Sequence, residues 1–290
     1  MWERVQAIAL SVFARGAAVA EQAGFVLADT KYEFGVGADG TTALGNYWGG
    51  ITVNAATGPI TIGGTAAGAG NLITNNRYGI DITGATTGHA ILGNSIVGNT
   101  QLGIDLNADG VTTNDAGDAD TGANSLQNFP VLSSATTTGT QITIGGSLNS
   151  NANSYYRIEF FANTAQDGSG YGEGQRYLGF LNLATDGSGN ATISTTLAAN
   201  VAVGEFISAT AIKSDVTYTA FTDTSEFAQN ATATASNTAP TLGNGTLGPV
   251  NEDTASPAGQ SVSTIFSGQF ADIDSGSSFG GIAIVGNTAN

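Results

Sequence analysis

The sequence contains no cysteine, one histidine and only seven lysine and arginine residues in a chain of 290. Without cysteine the chain has no disulfide, no thiolate metal site and no cysteine nucleophile. The single histidine, His89, has no second histidine and no serine or cysteine motif beside it, so we expect a surface histidine without a catalytic role. Because binding to a nucleic-acid backbone requires clustered cations, the few scattered basic residues predict no nucleic-acid partner.

Charge is scarce and is mostly of one sign. Charged residues make up 10% of the chain, and the net charge is −16. Hydrophobic residues reach 41%, which is enough for packed cores and unlike a disordered chain. No apolar run reaches the roughly 18 residues of a membrane helix, so we expect no membrane insertion. The length predicts two or three domains, and the abundance of glycine, 42 residues, fits an extracellular bacterial repeat protein.

Residues 1–40 form an N-terminal segment whose role the sequence leaves open. Arg4 and the apolar run from Val5 to Ala14 partly match a secretory signal. Glu3 lies in the expected basic region and Arg15 interrupts the segment before a cleavage point, which argues against a signal. An amphipathic helix that caps the next domain and a start inside a longer chain are the two alternatives.

A repeated pattern occupies the region from about Gly45 to Leu106. Residues 71–82 read NLITNNRYGIDI and residues 94–106 read NSIVGNTQLGIDL. The spacing between Asn71 and Asn94 is 23 residues, about the length of one solenoid coil, and the apolar residues alternate as strands require. A coil leaves its apolar face open until a neighbouring coil stacks on it. The pattern therefore predicts short, stacked strands.

This repeat resembles the right-handed parallel β-helix proteins of bacterial surfaces, whose coils read N-x-I-x-x-N-x-x-x-G-I. The residues that carry the resemblance are Asn71, Ile73, Asn76, Gly79, Ile80, Asn94, Ile96, Asn99, Gly103 and Ile104. The resemblance implies that residues 41–130 form a short right-handed parallel β-helix, the end of a longer solenoid. It indicates a fold far more than a function.

An acidic stretch follows the second repeat, between Asp105 and Asn128. Its candidate ligands are Asp105, Asn107, Asp109, Asn114, Asp115, Asp118 and Asp120. Ca²⁺ takes about six to eight oxygen ligands, and Gly110 permits a sharp turn, so the stretch predicts a calcium loop. The start matches D-x-N-x-D-G, but Ala116 stands where an EF-hand has its bidentate glutamate. A solvated acidic linker is the alternative.

Longer alternating runs begin after Pro130 and predict an antiparallel β-sandwich over residues 131–230. In the run from Tyr155 to Ala162, alternate residues share one apolar face, while Arg157 and Glu159 share the other face. We expect the first face in a core and the second in solvent. The segment that ends at residues 224–227, Thr-Ser-Glu-Phe, resembles an immunoglobulin-like module that follows such β-helices.

Residues 231–290 begin with a small, polar linker and then resemble the opening half of a cadherin-like repeat. The residues that carry the resemblance are Asn237–Pro240, Val250–Thr254 and Ala271–Gly276. The resemblance implies Ca²⁺ ligands at Glu252, Asp272 and Asp274. Ser236 departs from the pattern, because the family's linker usually has an aspartate there. The sequence ends about halfway through such a repeat, which predicts a fragment of a longer tandem array.

An enzymatic reading is also open, with a polysaccharide lyase or hydrolase on the repeat face. Asp81 and Asp105 occupy equivalent positions in successive repeats, and Arg77 precedes the first of them. The β-helix lyases pair an acidic calcium site with a basic residue that abstracts a proton. A solvated carboxylate ladder with Arg77 as its ion-pair partner is the alternative. Trp48 has two alternative roles, to stack on a sugar or to pack in the core or as the cap of a coil, and we expect the packing role.

These observations favour a calcium-stabilised structural or adhesive segment of a large extracellular bacterial surface protein. Such a segment presents binding surfaces without chemistry of its own, so we expect no catalytic site. The expected partners are a cell-surface glycan or protein ligand, together with the tandem neighbouring domains of a longer parent chain. The alternative function is a polysaccharide-active β-helix with accessory β-sandwich modules.

Overall fold

The computed structural model describes residues 45–54, 56–237, 239–244, 255, 260–266, 268–272, 278 and 280. The chain divides into two compact units, residues 1–234 and 235–290. In the described residues nearly all regular structure is strand, apart from a 3-10 turn at Ala123–Leu126 and a short helix, α1, at Val262–Phe266. The expected all-β class is therefore confirmed. No helix of this described part is long and apolar enough to cross a membrane.

The repeat region folds into short parallel strands. They are β1 (Gly49–Asn54), β2 (Thr61–Gly63), β3 (Leu72–Thr74), β4 (Tyr78–Thr83), β5 (Ala90–Leu92), β6 (Ser95–Val97) and β7 (Ile104–Leu106). They form three small parallel sheets with the orders β1-β4-β7, β2-β5 and β3-β6. The register aligns Ile51 with Ile80 and Ile80 with Ile104, so equivalent residues of successive repeats lie above one another. We call this region the parallel stack.

The repeated asparagines explain the register of the parallel stack. Asn46 donates its backbone N–H and its side-chain amide to Asn76 Oδ1, and Asn76 donates the same two groups to Asn99 Oδ1. A second pair repeats the arrangement, since Asn71 donates both groups to Asn94 Oδ1. Isoleucines at equivalent positions, including Ile80 and Ile104, fill the buried interior. Each repeat therefore binds the next one through both a polar ladder and an apolar core.

The following residues form two antiparallel sheets around one core. The strands are β8 (Val131–Thr137), β9 (Ile142–Asn149), β10 (Tyr155–Asn163), β11 (Arg176–Ala184), β12 (Asn190–Leu197), β13 (Phe206–Ser214), β14 (Phe221–Thr224), β15 (Ala231–Thr232) and β16 (Thr234–Ala235). One sheet has the order β11-β10-β13-β14, with β15 also paired to β13, and the other has the order β12-β9-β8-β16. Ile142, Ile144, Tyr156, Phe160 and Ile193 are buried in their common core.

The two faces of β10 are both buried, which corrects the expectation that Arg157 and Glu159 face solvent. Tyr156, Ile158 and Phe160 pack in the core between the sheets, as expected. The opposite face lies against the parallel stack: Phe161 belongs to the core of the stack, and Glu159 accepts a hydrogen bond of 2.8 Å from the Gly93 N–H. Arg157 remains buried because its Nε lies 2.8 Å from Glu159 Oε1. Alternation revealed two faces of the strand but not what covers the second one.

The second unit contains one short antiparallel pair in its described residues. Strand β17 (Thr241–Leu242) pairs with β18 (Phe270–Ala271), with Thr241 opposite Ala271. Helix α1 precedes β18. The whole N-terminal segment, residues 1–40, and much of the expected cadherin-like repeat lie outside the described residues.

Candidate metal centre

The acidic stretch forms the connection between the parallel stack and the antiparallel sheets. It begins after β7, runs through residues 107–122 and leads into the 3-10 turn and β8. Gly117 and Asp118 adopt left-handed backbone conformations, with φ of 76° and 57°. Such conformations are uncommon for an aspartate and allow the chain to reverse tightly. The reversal brings carboxylates that are close in sequence to the same side of the loop.

Three of the predicted ligands, Asp115, Asp118 and Asp120, converge in this loop. Each offers one carboxylate oxygen, and these three oxygens all lie within 4.8 Å of one another. Two oxygens bound to one Ca²⁺ are each about 2.3–2.6 Å from the ion, so a separation of this size suits a shared cation. We call these three residues the Asp cluster.

Asp118 is fixed by hydrogen bonds from the antiparallel core. Its carboxylate accepts the Asn128 N–H at 2.8 Å and the Ser150 hydroxyl at 2.7 Å. Ser150 in turn lies 2.7 Å from the hydroxyl of the buried Tyr156. This network fixes the most buried carboxylate of the Asp cluster through Asn128 and through Ser150, which directly follows β9.

Asp115 is held by the loop itself. Its carboxylate accepts the Ala119 N–H at 3.1–3.2 Å, and its backbone N–H and C=O both pair with the side-chain amide of Asn128, at 3.1 and 2.7 Å. Asn128, which lies two residues after the 3-10 turn, therefore fixes the backbone of Asp115. The sequence offered no signal for this role, because an asparagine that clamps a distant loop looks like any polar turn residue.

The electrostatics of the Asp cluster disfavour three bare negative charges. Burial raises the pKa of Asp118, and burial together with the neighbouring charge of Asp115 raises the pKa of Asp120. The Oδ1 atom of Asp120 is buried without a hydrogen-bond partner. Buried anionic oxygens are costly unless a donor or a cation compensates them. A bound divalent cation would supply that compensation and lower the pKa values of Asp118 and Asp120.

The other candidate ligands of the acidic stretch are placed differently. Asp105 is buried and accepts the N–H groups of Asp109 and Gly110, at 3.2 and 3.3 Å. Asn107 and Asp109 are exposed. Asn114 uses its amide to hold both backbone groups of Phe129, at 2.8 and 3.0 Å. None of these four residues belongs to the Asp cluster.

The candidate ligands of the cadherin-like segment fall in the second unit. Asp272 follows β18 and is partly buried. Glu252 and Asp274 lie outside the described residues, so the ligand set expected there stays a prediction.

Four carboxylates for which the sequence predicted no such role bind the parallel stack to the antiparallel sheets. Asp223 accepts the Gly88 N–H at 2.6 Å, and Glu226 accepts the N–H groups of Leu106 and Thr112 at 2.9 and 2.8 Å. Glu159 accepts the Gly93 N–H, as described above. Glu173 accepts the Gly98 N–H and both nitrogens of Asn99, so it completes the asparagine ladder. The local sequence around these carboxylates does not show that they bind backbone N–H groups, because the residues that donate those hydrogen bonds lie many positions away.

Glu226 and Asp105 are buried next to each other at this contact. Burial, and to a lesser extent the charge of Asp105, raises the pKa of Glu226 to about 7. Burial also raises the pKa of Asp105 to about 6, with smaller contributions from the charges of Asp109 and Asp81. Asp81 lies in register with Asp105, and its Oδ1 atom has no hydrogen-bond partner.

The positions of Asp81, Asp105 and Arg77 can be compared with those that a polysaccharide lyase or hydrolase would need. Asp81 is 3% exposed and Asp105 is 0% exposed, so both side chains are buried instead of forming a solvated ladder. Arg77 forms no ion pair with either aspartate; its guanidinium lies 5.2–5.8 Å from the ring centroids of Tyr47, Trp48 and Tyr78. This arrangement presents no open pair of carboxylates to a polysaccharide.

The expectation that His89 lies at the surface is wrong. It is fully buried, and neither ring nitrogen has a hydrogen-bond partner in the described structure. Burial lowers its pKa, while the charge of Asp223 acts in the opposite direction. The backbone of His89 explains its position: its N–H and C=O both pair with the Asn124 side chain, at 3.0 and 2.7 Å.

Comparison with known proteins finds similarity at the N-terminus. The SAICAR synthetase family model matches residues 1–47. A protein of Mesorhizobium japonicum named phosphoribosylaminoimidazole-succinocarboxamide synthase 2 is 54% identical over 43 residues, which is 15% of this chain and 14% of that protein. The chain thus spans about one seventh of the length of the relative it matches. The family match ends before β1 and before the Asp cluster.

Proposed function

We propose that this chain is a calcium-stabilised structural or adhesive segment of an extracellular bacterial surface protein. The observation that carries the proposal is the convergence of Asp115, Asp118 and Asp120 in the loop between the parallel stack and the antiparallel sheets. Ca²⁺ in that loop would bind a site that the unfolded chain lacks, and binding to the folded state alone stabilises it. The ion would act as a structural brace.

The finer architecture belongs to the same proposal. In it, the parallel stack is the end of a right-handed β-helix, the antiparallel sheets are an immunoglobulin-like sandwich, and residues 231–290 begin a cadherin-like repeat. The parallel registers at intervals of 23 to 29 residues support the first assignment. Two antiparallel sheets around one core support the second. Tandem β modules of this kind extend from a surface and present binding faces to glycans or proteins.

The polysaccharide-active alternative receives less support from the described residues. Its candidate carboxylates, Asp81 and Asp105, are buried, and its candidate base, Arg77, packs among aromatic rings. The SAICAR synthetase match ends at residue 47 and does not reach the Asp cluster, which carries our proposal.

Calorimetric titration with CaCl₂ tests the proposed site. We expect wild type to bind calcium and Asp120→Asn to bind it about tenfold or more weakly, because this change removes a charged ligand from the Asp cluster. Asp109→Asn is the matched control: it makes the same change on the same loop but outside the cluster, and its affinity should equal that of wild type. Absence of binding by wild type, or equal weakening by the two variants, would contradict the proposal.

A further inference from the structure

Two aromatic side chains project from the parallel stack into solvent. Tyr47 is 75% exposed and Trp48 is 62% exposed, which is contrary to the expectation that Trp48 packs in the core or caps a coil. Their ring centroids are 5.4 Å apart and the ring planes meet at 83°. Exposed aromatic rings that lie close together provide an apolar contact surface with a polar edge, a composition typical of binding sites.

Arg77 lies beside these rings without an acidic partner. Its guanidinium carbon is 5.4 Å from the centroid of Tyr47, 5.8 Å from Trp48 and 5.2 Å from Tyr78. Within the described part of the chain, no carboxylate pairs with Arg77 and its guanidinium N–H groups donate no hydrogen bond. In a chain of net charge −16, an arginine without a carboxylate partner is conspicuous. We call Tyr47, Trp48, Arg77 and Tyr78 the aromatic platform.

The backbone holds the aromatic platform in place. Arg77 N–H donates to the Asn46 carbonyl at 3.1 Å, and Tyr78 N–H donates to the Trp48 carbonyl at 3.3 Å. Asn46 is also fixed to Asn76 by the asparagine ladder. The rings and the guanidinium therefore come from two adjacent, paired segments, so a ligand would meet a largely preformed surface.

We propose that the aromatic platform binds an acidic saccharide, a sugar that carries a ring carboxylate. A carboxylate matches the planar donor fork of Arg77, and the C–H face of the same sugar ring covers the exposed ring of Trp48. One sugar residue thus meets both needs, whereas an acidic peptide brings the charge without an apolar ring face. This inference rests on the proposed function, since it assigns a ligand class to a surface that the segment presents.

Fluorescence titration of Trp48 tests this binding directly. The chain has two tryptophans, so Trp2→Phe leaves Trp48 as the sole reporter. We expect hyaluronan oligosaccharides, whose uronate residues carry ring carboxylates, to change its emission in a saturable way. Neutral chitin oligosaccharides of equal length and poly-L-glutamate should cause no saturable change. Equal responses to either control ligand, or no response to hyaluronan, would overturn the proposal.

Variants separate the contribution of the platform from general charge. In the Trp2→Phe background, Arg77→Gln should raise the dissociation constant about tenfold or more, and Arg77→Lys should retain part of the affinity. Arg176→Gln removes the same charge from strand β11 and should leave the affinity unchanged. Unchanged binding by Arg77→Gln would overturn the assignment, and a thermal melt of each variant checks that it is folded.

The saccharide titrations are all performed in EDTA, so that the Asp cluster contributes no bound calcium to them. A failure of saccharide binding would then leave the calcium proposal intact, and a failure of the calcium titration would not alter the saccharide result.

Discussion

Glu226 joins the last strand of the parallel stack to the loop that follows it. Its carboxylate accepts backbone N–H groups from Leu106 and Thr112, and it lies next to the buried Asp105. Hydrogen bonds to the carboxylate favour its charged form, but burial outweighs them and raises the pKa to about 7. The folded chain therefore binds a proton at this site more tightly than the unfolded chain does.

The stability of the protein should fall as the pH rises. The ordinary pKa of this carboxyl is 4.5, so its stabilising contribution is fully present below that pH and is lost as the pH rises through about 7. The neutral isostere Glu226→Gln should remove much of this loss, on the order of 2–3 kcal/mol at about 1.4 kcal/mol per pKa unit. Urea denaturation in EDTA between pH 5 and pH 8 measures it. If the free energy of unfolding changed with pH in the same way for wild type and for Glu226→Gln, Glu226 would not be the source of the loss.

At the scale of single residues, the sequence displays those groups of residues whose pattern is local. The ladder asparagines recur at a spacing near one coil, and the Asp cluster falls within six consecutive residues, so both were visible as patterns. Glu226 and His89 were not, because their burial depends on partners that are distant in sequence. The prediction for Trp48 was also wrong, since a tryptophan at a strand end has no local feature that separates packing from exposure.

At the scale of elements, the parallel stack depends on close approach between repeats. A Cβ atom on Gly79 would lie 2.3 Å from the carbonyl oxygen of Gly103 and 2.6 Å from Ile96 Cγ2. Real Cβ atoms do not come so near to a backbone oxygen, so a side chain at this position would separate β4 from β7. The glycine of the repeat pattern is explained by this contact.

Gly79→Ala should therefore destabilise the protein by about 2–3 kcal/mol or more, because the clash involves rigid backbone. Gly187→Ala is the matched control: it lies in the turn between β11 and β12, where an added Cβ would meet nothing within 4 Å. Its free energy of unfolding should stay within about 0.5 kcal/mol of the wild-type value. Urea denaturation of both variants measures the difference. Equal changes in the free energy of unfolding for Gly79→Ala and Gly187→Ala would contradict the claim that a side chain at Gly79 forces the repeats apart.

The strands themselves were largely predictable, but the surfaces that cover them were not. The alternating runs predicted after Pro130 correspond to strands of the antiparallel sheets, and the run from Tyr155 to Ala162 corresponds to β10. Their apolar alternation is a local property that the sequence displays directly. In β10, by contrast, Arg157 and Glu159 satisfy each other and the Gly93 N–H inside the protein, a pairing that alternation cannot distinguish from solvent exposure.

At the scale of the whole molecule, the first compact unit contains both the parallel stack and the antiparallel sheets. Buried carboxylates from the sheets bind backbone N–H groups of the stack, and Phe161 and Phe227 pack into its apolar interior. The Asp cluster lies on the chain segment that crosses between the two parts. Calcium bound there would stabilise the folded connection between the two parts. Both parts would then unfold together at a higher temperature.

Thermal melting of the chain in calcium and in EDTA tests this account most directly. A ligand at 100 times its dissociation constant stabilises the folded state by about 2.7 kcal/mol, so the melting temperature of wild type should rise by several degrees in millimolar CaCl₂. Asp120→Asn should lose this rise, and Asp109→Asn should keep it. Identical melting of wild type in calcium and in EDTA would contradict the proposal that this segment is braced by calcium.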